Sequence, residues 1–141
     1  YVPTISAGMF VAEKAKERGY YPPIIIPKAL EIGPRLLNTF TTAYKFGIKI
    51  AFGTDSGVSY HGDNAKEFVY MVEGGMLEIE AIKSATVVPA QLLNISEKFG
   101  TIESNKIADI IAVDGDPTQD IRSMLTVVFV MKNGKVYKTP S

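Results

Sequence analysis

The sequence predicts an α/β fold, and three observations support that prediction. A helical pattern that ends at Gly47 leads into residues 48–52, an apolar run that suits a parallel strand buried on both faces. A strand end over Tyr1–Thr4 precedes another helical pattern, so strand and helix alternate. Beyond residue 99 the chain turns to β-branched, apolar runs separated by turn residues. With 141 residues, the chain is long enough for one domain with a real core.

The first half of the chain is predicted to be mainly helical. Ser6 is the expected N-cap of the first helix, which Gly19 ends. Three prolines place residues 20–27 in a loop or a short irregular helix. A helical stretch over residues 28–32 is expected to stop before a separate helix over residues 34–45, because the proline that opens the latter suits a first turn.

The loop Gly53-Thr54-Asp55-Ser56-Gly57 follows the central strand and places a carboxylate just beyond its C-terminal end. In open α/β sheets and in closed α/β barrels, this edge is where ligands bind and chemistry occurs. Asp55 is therefore a candidate functional residue. A βα turn whose Asp only caps a helix is the alternative at this point.

A helix is expected after this loop, ending at the pair of glycines that follows residue 73. Asp63 or Asn64 can cap it, and with Asn64 as the cap, Glu67 stands at the capping-box position three residues on. The positions that face inward at helical spacing are apolar: Phe68, Met71 and Val72.

Two more helices and three strands complete the prediction. The helices span residues 77–84 and 89–93, and Leu77 leaves the first of them without a side-chain cap. Asn133-Gly134 predicts a type I′ hairpin turn between the last two strands, because both central residues of such a turn need positive φ. The strands correspond to the apolar runs 107–113, 126–131 and 135–137.

Composition excludes several classes of function. Fifteen basic residues balance fifteen acidic ones, so no large field attracts nucleic acid or an anionic membrane. The chain contains no cysteine, which excludes a disulfide scaffold and thiolate metal ligands. Its longest apolar runs are too short for a transmembrane helix. We therefore expect no nucleic-acid partner and no membrane partner.

The chain carries short motifs that are weak singly and specific in combination: Val2-Pro3-Thr4, residues 48–57, residues 61–68, Ala85-Thr86, residues 100–113 and Gly115-Asp116-Pro117. In this order and at these spacings they resemble the C-terminal part of a metal-dependent amidohydrolase. The resemblance covers nearly the whole chain and is to the branch of Xaa-Pro dipeptidases, or prolidases, that is related to imidazolonepropionase.

The resemblance implies a (β/α)8 barrel of the TIM type with a small β-sandwich built from both chain ends. Residues 1–98 would supply the last two βα units of the barrel, and residues 99–141 would supply C-terminal strands of the sandwich. A full barrel needs about 200 to 250 residues, so the N-terminal barrel portion is expected elsewhere. The open strand edges then predict one of two partners, which are that missing portion or a second copy of the chain.

The resemblance also implies roles for three side chains. Asp55 matches the family's eighth-strand Asp, which binds the metal and the attacking water and serves as the catalytic base. His61 and Thr4 fall where they could bind substrate, with a surface histidine and a plain turn hydroxyl as the alternatives. The implied cofactor is zinc, as one or two ions. With one histidine and no cysteine, this chain alone cannot supply the three or four ligands of a catalytic zinc.

The implied activity is hydrolysis of an amide bond in a dipeptide or in a C-terminal amino-acid derivative, so the expected ligand is a dipeptide or another small molecule. A cyclic-amide or imidazolone hydrolase is the alternative among enzymes. A non-catalytic binding domain that reuses the fold is the alternative outside them. Tyr1 belongs to a strand end, so we expect the chain to begin within a domain. Cytoplasmic localisation is also expected.

Overall fold

The computed structural model describes residues 1–140, in which helices precede a three-stranded sheet. The helical part comprises α1 (Ile5–Lys14), α2 (Ile26–Lys45), a first 3-10 turn (Asp63–Ala65), α3 (Lys66–Glu73), α4 (Glu78–Ser84) and α5 (Val87–Leu92). The remainder comprises β1 (Ile110–Val113), a second 3-10 turn (Ile121–Leu125), β2 (Val127–Lys132) and β3 (Lys135–Lys138). The division into residues 1–98 and 99–141 stays a prediction, and residue 141 itself lies outside the described residues.

Tyr1 and Ile50 form one step of a parallel strand pair. The Tyr1 amino group donates to the Lys49 carbonyl (2.8 Å), and the Ala51 amide donates to the Tyr1 carbonyl (2.9 Å). Two such bonds flank a paired residue in a parallel ladder. The next step would need a donor at Pro3, which has no N–H. The two regular strands predicted here are therefore wrong for the described chain, and a single pair stands in their place.

Helix α1 begins one residue before its predicted cap. Thr4 occupies the N-cap position in a left-handed conformation (φ 47°) and makes no side-chain cap bond. Ser6 lies inside the first turn, so its predicted role as the N-cap is wrong. Its amide bonds instead to the carboxylate of Glu67 in α3.

Helix α2 runs unbroken over 20 residues, so the two helices predicted here are one. Pro34 lies inside it, and a proline at this position removes the amide that would bond to the Leu30 carbonyl. Leu30 itself lies on an exposed part of the helix.

A close contact between α1 and α2 explains why the helix continues through its proline. A Cβ at Gly33 would lie 3.0 Å from the Gly8 carbonyl oxygen and 3.0 Å from the Met9 Cα. Only glycine allows the two backbones to approach this closely. The packing of α2 on α1 at this point therefore stabilises a helical stretch that the local sequence disfavours.

One hydrophobic core joins the helices to the C-terminal segment. At its centre lie Ile5 of α1, Phe40 of α2 and Met71 of α3, all fully buried. Ile121 and Met124 of the second 3-10 turn belong to the same cluster. The predicted inward face of α3 contributes as expected: Phe68 and Met71 at the core and Val72 packed against it.

The three strands form an antiparallel sheet in chain order. Asn133 (φ 49°) and Gly134 (φ 76°) form the turn between β2 and β3, which confirms the predicted hairpin. The Gly134 amide donates to the Ala108 carbonyl (3.0 Å), and the Asn133 amide donates to Asp109 Oδ1 (2.7 Å). The turn is thereby tied to the chain just before β1.

The later helices differ little from the prediction. Helix α4 follows Leu77, whose extended backbone (φ −68°, ψ 144°) comes without a side-chain cap, as expected. Helix α5 begins at Val87 rather than at Pro89. In the described part of the chain, no helix combines the length and the apolarity needed to cross a bilayer.

Candidate active site

The loop after residue 52 presents Asp55 to solvent. Asp55 is exposed and adopts the left-handed conformation (φ 51°), which Asp adopts more readily than most residues with a Cβ and less readily than glycine. Gly53 lets this loop lie against the start of the chain, because a Cβ there would be 2.3 Å from Val2 Cγ1 and 3.8 Å from Thr4 Cγ2. The segments that carry the candidates Asp55 and Thr4 therefore adjoin.

Asn64 fixes the side chains on either side of Asp55. Its Nδ2 donates to Thr54 Oγ1 (3.2 Å) and to Ser56 Oγ (2.8 Å), and the two hydroxyls lie 3.1 Å apart. Its Oδ1 accepts from the Gly62 amide (3.3 Å). The Asn64 side chain thus serves the loop, and its predicted role as the cap of α3 is wrong, since α3 has no side-chain cap bond.

Glu67 of α3 caps helix α1. Its Oε1 accepts from the Ile5 amide (2.9 Å) and its Oε2 from the Ser6 amide (2.7 Å), while the residue is fully buried. Burial raises the pKa of Glu67, and the hydrogen bonds from Ser6 and Ile5 act in the opposite direction. Both carboxylate oxygens bond to another helix, so the predicted capping box at Glu67 is wrong.

Ser6 connects the loop to this buried carboxylate. Its hydroxyl donates to the Thr54 carbonyl (3.4 Å), which belongs to the peptide group that precedes Asp55. Its own amide is held by Glu67. The start of α1 therefore links the loop that carries Asp55 to the inward face of α3.

His61 is exposed on the segment that follows the loop. The neighbouring Tyr60 packs edge-on against Phe10 of α1, with ring centroids 5.3 Å apart, and the Lys14 ammonium lies 5.7 Å from the Tyr60 centroid. These contacts tie the segment that carries His61 to α1. The substrate-binding roles of His61 and Thr4 stay predictions.

Asp55 is the side chain of this loop with the chemistry of a metal ligand, since zinc and harder divalent cations accept carboxylate oxygens. Within residues 1–140, no three His, Cys, Asp or Glu side chains come together as a group that could hold a metal ion. The described residues therefore fit one ligand position of a metal site and do not form a complete one.

A separate cavity of about 590 Å³ lies between helices α4 and α5 and the C-terminal sheet. Its walls are mostly apolar and include Ile82, Leu93, Phe99 and Ile111. Asp55 does not line it, so the candidate site is an exposed loop rather than this cavity.

The sequence identified Asp55 as a candidate. It did not reveal that three other side chains support the Asp55 loop: Ser6, Asn64 and Glu67. A signal existed for Glu67. It stands four residues before Met71, at helical spacing on the face that is otherwise apolar, and a charged residue on a buried face needs a polar partner. No such signal marks Ser6, because its partners are 48 and 61 residues away.

The family model for amidohydrolases matches residues 4–138, and the chain therefore belongs to the amidohydrolase family. The predicted family is confirmed. The predicted fold class is confirmed as well, since the chain matches the C-terminal part of the amidohydrolase TIM barrel. Members of this family generally use divalent metal ions.

Three solved structures illustrate the similarity. A Xaa-Pro dipeptidase with methionine bound in its active site is 56% identical over 98% of this chain and 34% of its own, with a TM-score of 0.91. The ochratoxinase of A. niger is 29% identical over 100% of this chain and 32% of its own, with a TM-score of 0.75. A prolidase complexed with N-methylphosphonate-L-proline is 25% identical over 98% of this chain and 34% of its own, with a TM-score of 0.76. The chain thus spans about a third of the length of these proteins. Comparison with curated proteins gave no match.

Proposed function

We propose that the chain is the C-terminal part of a metal-dependent hydrolase that cleaves the amide bond of dipeptides, with Xaa-Pro dipeptides as the substrate class. The observation that carries the proposal is the presentation of Asp55, an exposed carboxylate on a strained backbone in a loop with bonded flanks. Strain of this kind persists at functional sites because the surrounding structure maintains it. The 56% identity to a Xaa-Pro dipeptidase supports the substrate class.

Asp55 acts as a base and then as an acid in this proposal. Its carboxylate takes a proton from the attacking water as the water oxygen bonds to the scissile carbonyl carbon. The protonated carboxyl then donates that proton to the departing amine, so the carboxylate returns to its starting state. A divalent cation, when bound, supplies polarisation of the carbonyl.

Zinc, as one or two ions, is the proposed metal, with Asp55 as one of its ligands. The other ligands would come from outside residues 1–140, since the described residues hold no group of three candidate ligands. Thr4 and His61 are proposed to contact the substrate. Thr4 lies against the Asp55 loop at Gly53, His61 is exposed on the next segment, and both side chains can hydrogen-bond to a peptide.

The proposed partner of the chain is the remainder of the barrel. Phe46 and Ile48, which lead into the segment that pairs with Tyr1, are 81% and 51% exposed. Apolar side chains beside an open strand edge favour association. A second copy of the chain is the other partner that this edge could take.

The test is an assay of the intact protein with matched dipeptides. We expect hydrolysis of Ala-Pro, loss of that activity after treatment with a chelator, and its recovery with zinc. Ala-Ala is the control for the requirement for proline. Equal rates of hydrolysis of both dipeptides would contradict the proposed preference for Xaa-Pro substrates and would indicate a general dipeptidase. No hydrolysis of either by metal-loaded protein would favour a non-catalytic binding domain.

A further inference from the structure

We propose that Ser6 and Glu67 are positioning residues, which hold the backbone of Asp55 in its left-handed conformation. This inference rests on the proposed function, in which Asp55 is the catalytic base. It adds two side chains that act through Asp55. The connection has two steps, from the Asp55 backbone to Ser6 and from Ser6 to Glu67.

The backbone of Asp55 requires support from outside its own loop. Its φ of 51° is less favourable for Asp than for glycine, whereas Gly57, two residues on, adopts its φ of 119° at little cost. Asn64 bonds to the side chains of Thr54 and Ser56. Those bonds hold the flanks of the loop and do not involve the peptide group that joins residues 54 and 55.

Ser6 supplies the missing contact. Its hydroxyl donates to the Thr54 carbonyl oxygen (3.4 Å), and the nitrogen of that same peptide group is the nitrogen of Asp55. This bond, long for an O–H···O contact, orients the peptide plane on the N-terminal side of Asp55, the plane from which its φ is measured. Ser6 is buried and the bond is partly buried, so water competes with it less than at a fully exposed position.

Glu67 in turn fixes Ser6. Its two oxygens bond to the amides of Ile5 and Ser6 at 2.9 and 2.7 Å, and a carboxylate at a helix N-terminus also gains from the helix dipole. Thr4 offers no side-chain cap to these amides. Loss of the carboxylate would leave buried donors unpaired and would release the first turn of α1, which carries Ser6.

The test compares Ser6→Ala, Glu67→Gln and the double variant in the intact enzyme, each loaded with the same metal. Displacing a catalytic group by about 1 Å costs on the order of 10²-fold, so we expect each single variant to lower kcat about 10- to 100-fold. KM should change much less, because the substrate contacts remain. The double variant should be no slower than the slower single variant, because both residues act through one path.

Glu73→Gln is the matched control, with the same change at an exposed position of the same helix. It should keep the wild-type kcat. Exchange of the backbone amides of residues 53–58, followed by mass spectrometry, gives a readout that does not depend on activity. We expect faster exchange in the Ser6 and Glu67 variants than in the control.

Two results would overturn the positioning role. One is an unchanged kcat in folded, metal-loaded variants whose melting temperature alone has fallen, and the other is a pair of losses that add in the double variant. If Glu67→Gln does not fold, Ser6→Ala removes a single hydroxyl and decides the question alone, through kcat and amide exchange.

Asp55→Asn, measured in parallel, separates this proposal from the proposed function. An active Asp55→Asn enzyme would contradict the role of Asp55, and the positioning proposal would fail with it. An inactive Asp55→Asn enzyme, together with full kcat in the Ser6 and Glu67 variants, would overturn only the positioning proposal.

Discussion

Asp55 and Asn133 share a backbone conformation and differ in what maintains it. Their φ values are 51° and 49°. Asn133 precedes Gly134, the pair that a two-residue type I′ turn favours, so the local sequence already favours its conformation. The bonds to Ala108 and Asp109 add to that preference. Asp55 precedes Ser56, and the contacts around it come from α1 and from the 3-10 turn before α3.

This difference separates a structural turn from a candidate site. When the neighbouring residues favour a left-handed conformation, that conformation does not indicate a functional site. A left-handed residue whose flanking groups bond to Ser6 and Asn64, from other parts of the chain, indicates that the rest of the fold supports its local geometry. The exposed carboxylate of Asp55 makes that geometry useful for chemistry.

Asp55→Asn should give the largest effect. Asn adopts the left-handed conformation about as readily as Asp, so the loop is retained and the base is lost. We expect kcat/KM of the intact, metal-loaded enzyme to fall about 10² to 10⁴-fold, the usual contribution of a positioned base, with little change in melting temperature. Steady-state kinetics with a dipeptide measures the loss. Activity within about tenfold of wild type would contradict the role.

Asn133→Ala should affect stability alone. Alanine disfavours positive φ, so the free energy of unfolding should fall by about 1 kcal/mol or somewhat more, and dipeptide hydrolysis should be unchanged. The midpoint of urea unfolding measures the loss. Asn133→Gly keeps access to positive φ and is the matched control. A fall in kcat for the alanine variant would remove the distinction between the two turns.

Leu77 provides a third case, a helix start without a side-chain cap. Leu77→Ser should stabilise the protein by about 0.5 to 1 kcal/mol, because the serine hydroxyl can bond to an amide in the first turn of α4. Leu77 is 58% exposed, so little buried apolar area is lost. Leu77→Ala removes the same side chain without adding a hydroxyl. Equal unfolding midpoints for the two variants would show that no cap forms.

Titration of Glu67 should make the free energy of unfolding depend on pH. Burial raises its pKa in the folded protein above the ordinary value of 4.5, so unfolding releases a proton in the interval between the two values. The free energy of unfolding contributed by this group therefore falls as pH rises through that interval and is constant above and below it.

Glu67→Gln removes this titration. As pH rises from 4.5, the melting temperature of the wild type should fall relative to that of the variant. Tyr1 and Tyr70 interact with Glu67, but both have pKa values raised above 10.0 and stay neutral in this range. A difference that does not change with pH would contradict the raised pKa.

Features set by local chemistry could be predicted from the sequence. The predictions of the Asn133-Gly134 hairpin and of the uncapped start of α4 were correct, because turn and cap preferences act within a few residues. The position of Asp55 beyond the central segment followed from the resemblance to amidohydrolases and from the glycines around it. Its position in the chain was predictable in this way, whereas the contacts of its loop with Ser6 and Asn64 were not.

The predictions were wrong where distant contacts determine the structure. Ser6 has the residue type of an N-cap, but the amides of this helix start bond to Glu67. Pro34 has the residue type of a helix start, but the contact of Gly33 with α1 keeps α2 in one piece. Pro3 ends the expected strand pair after one step, because it cannot donate the next bond.

The hairpin turn also determines how the chain ages chemically. Asn-Gly sequences lose ammonia when the glycine nitrogen attacks the asparagine side-chain carbonyl and closes a succinimide ring, which opens to aspartate or isoaspartate. Here the Gly134 N–H donates to the Ala108 carbonyl and the Asn133 N–H donates to Asp109, so the attack requires the turn to open first. Each opening is brief, but the product is permanent and adds one negative charge. The proportion of deamidated chains in a sample therefore records, over days of storage, how often this end of the sheet comes apart.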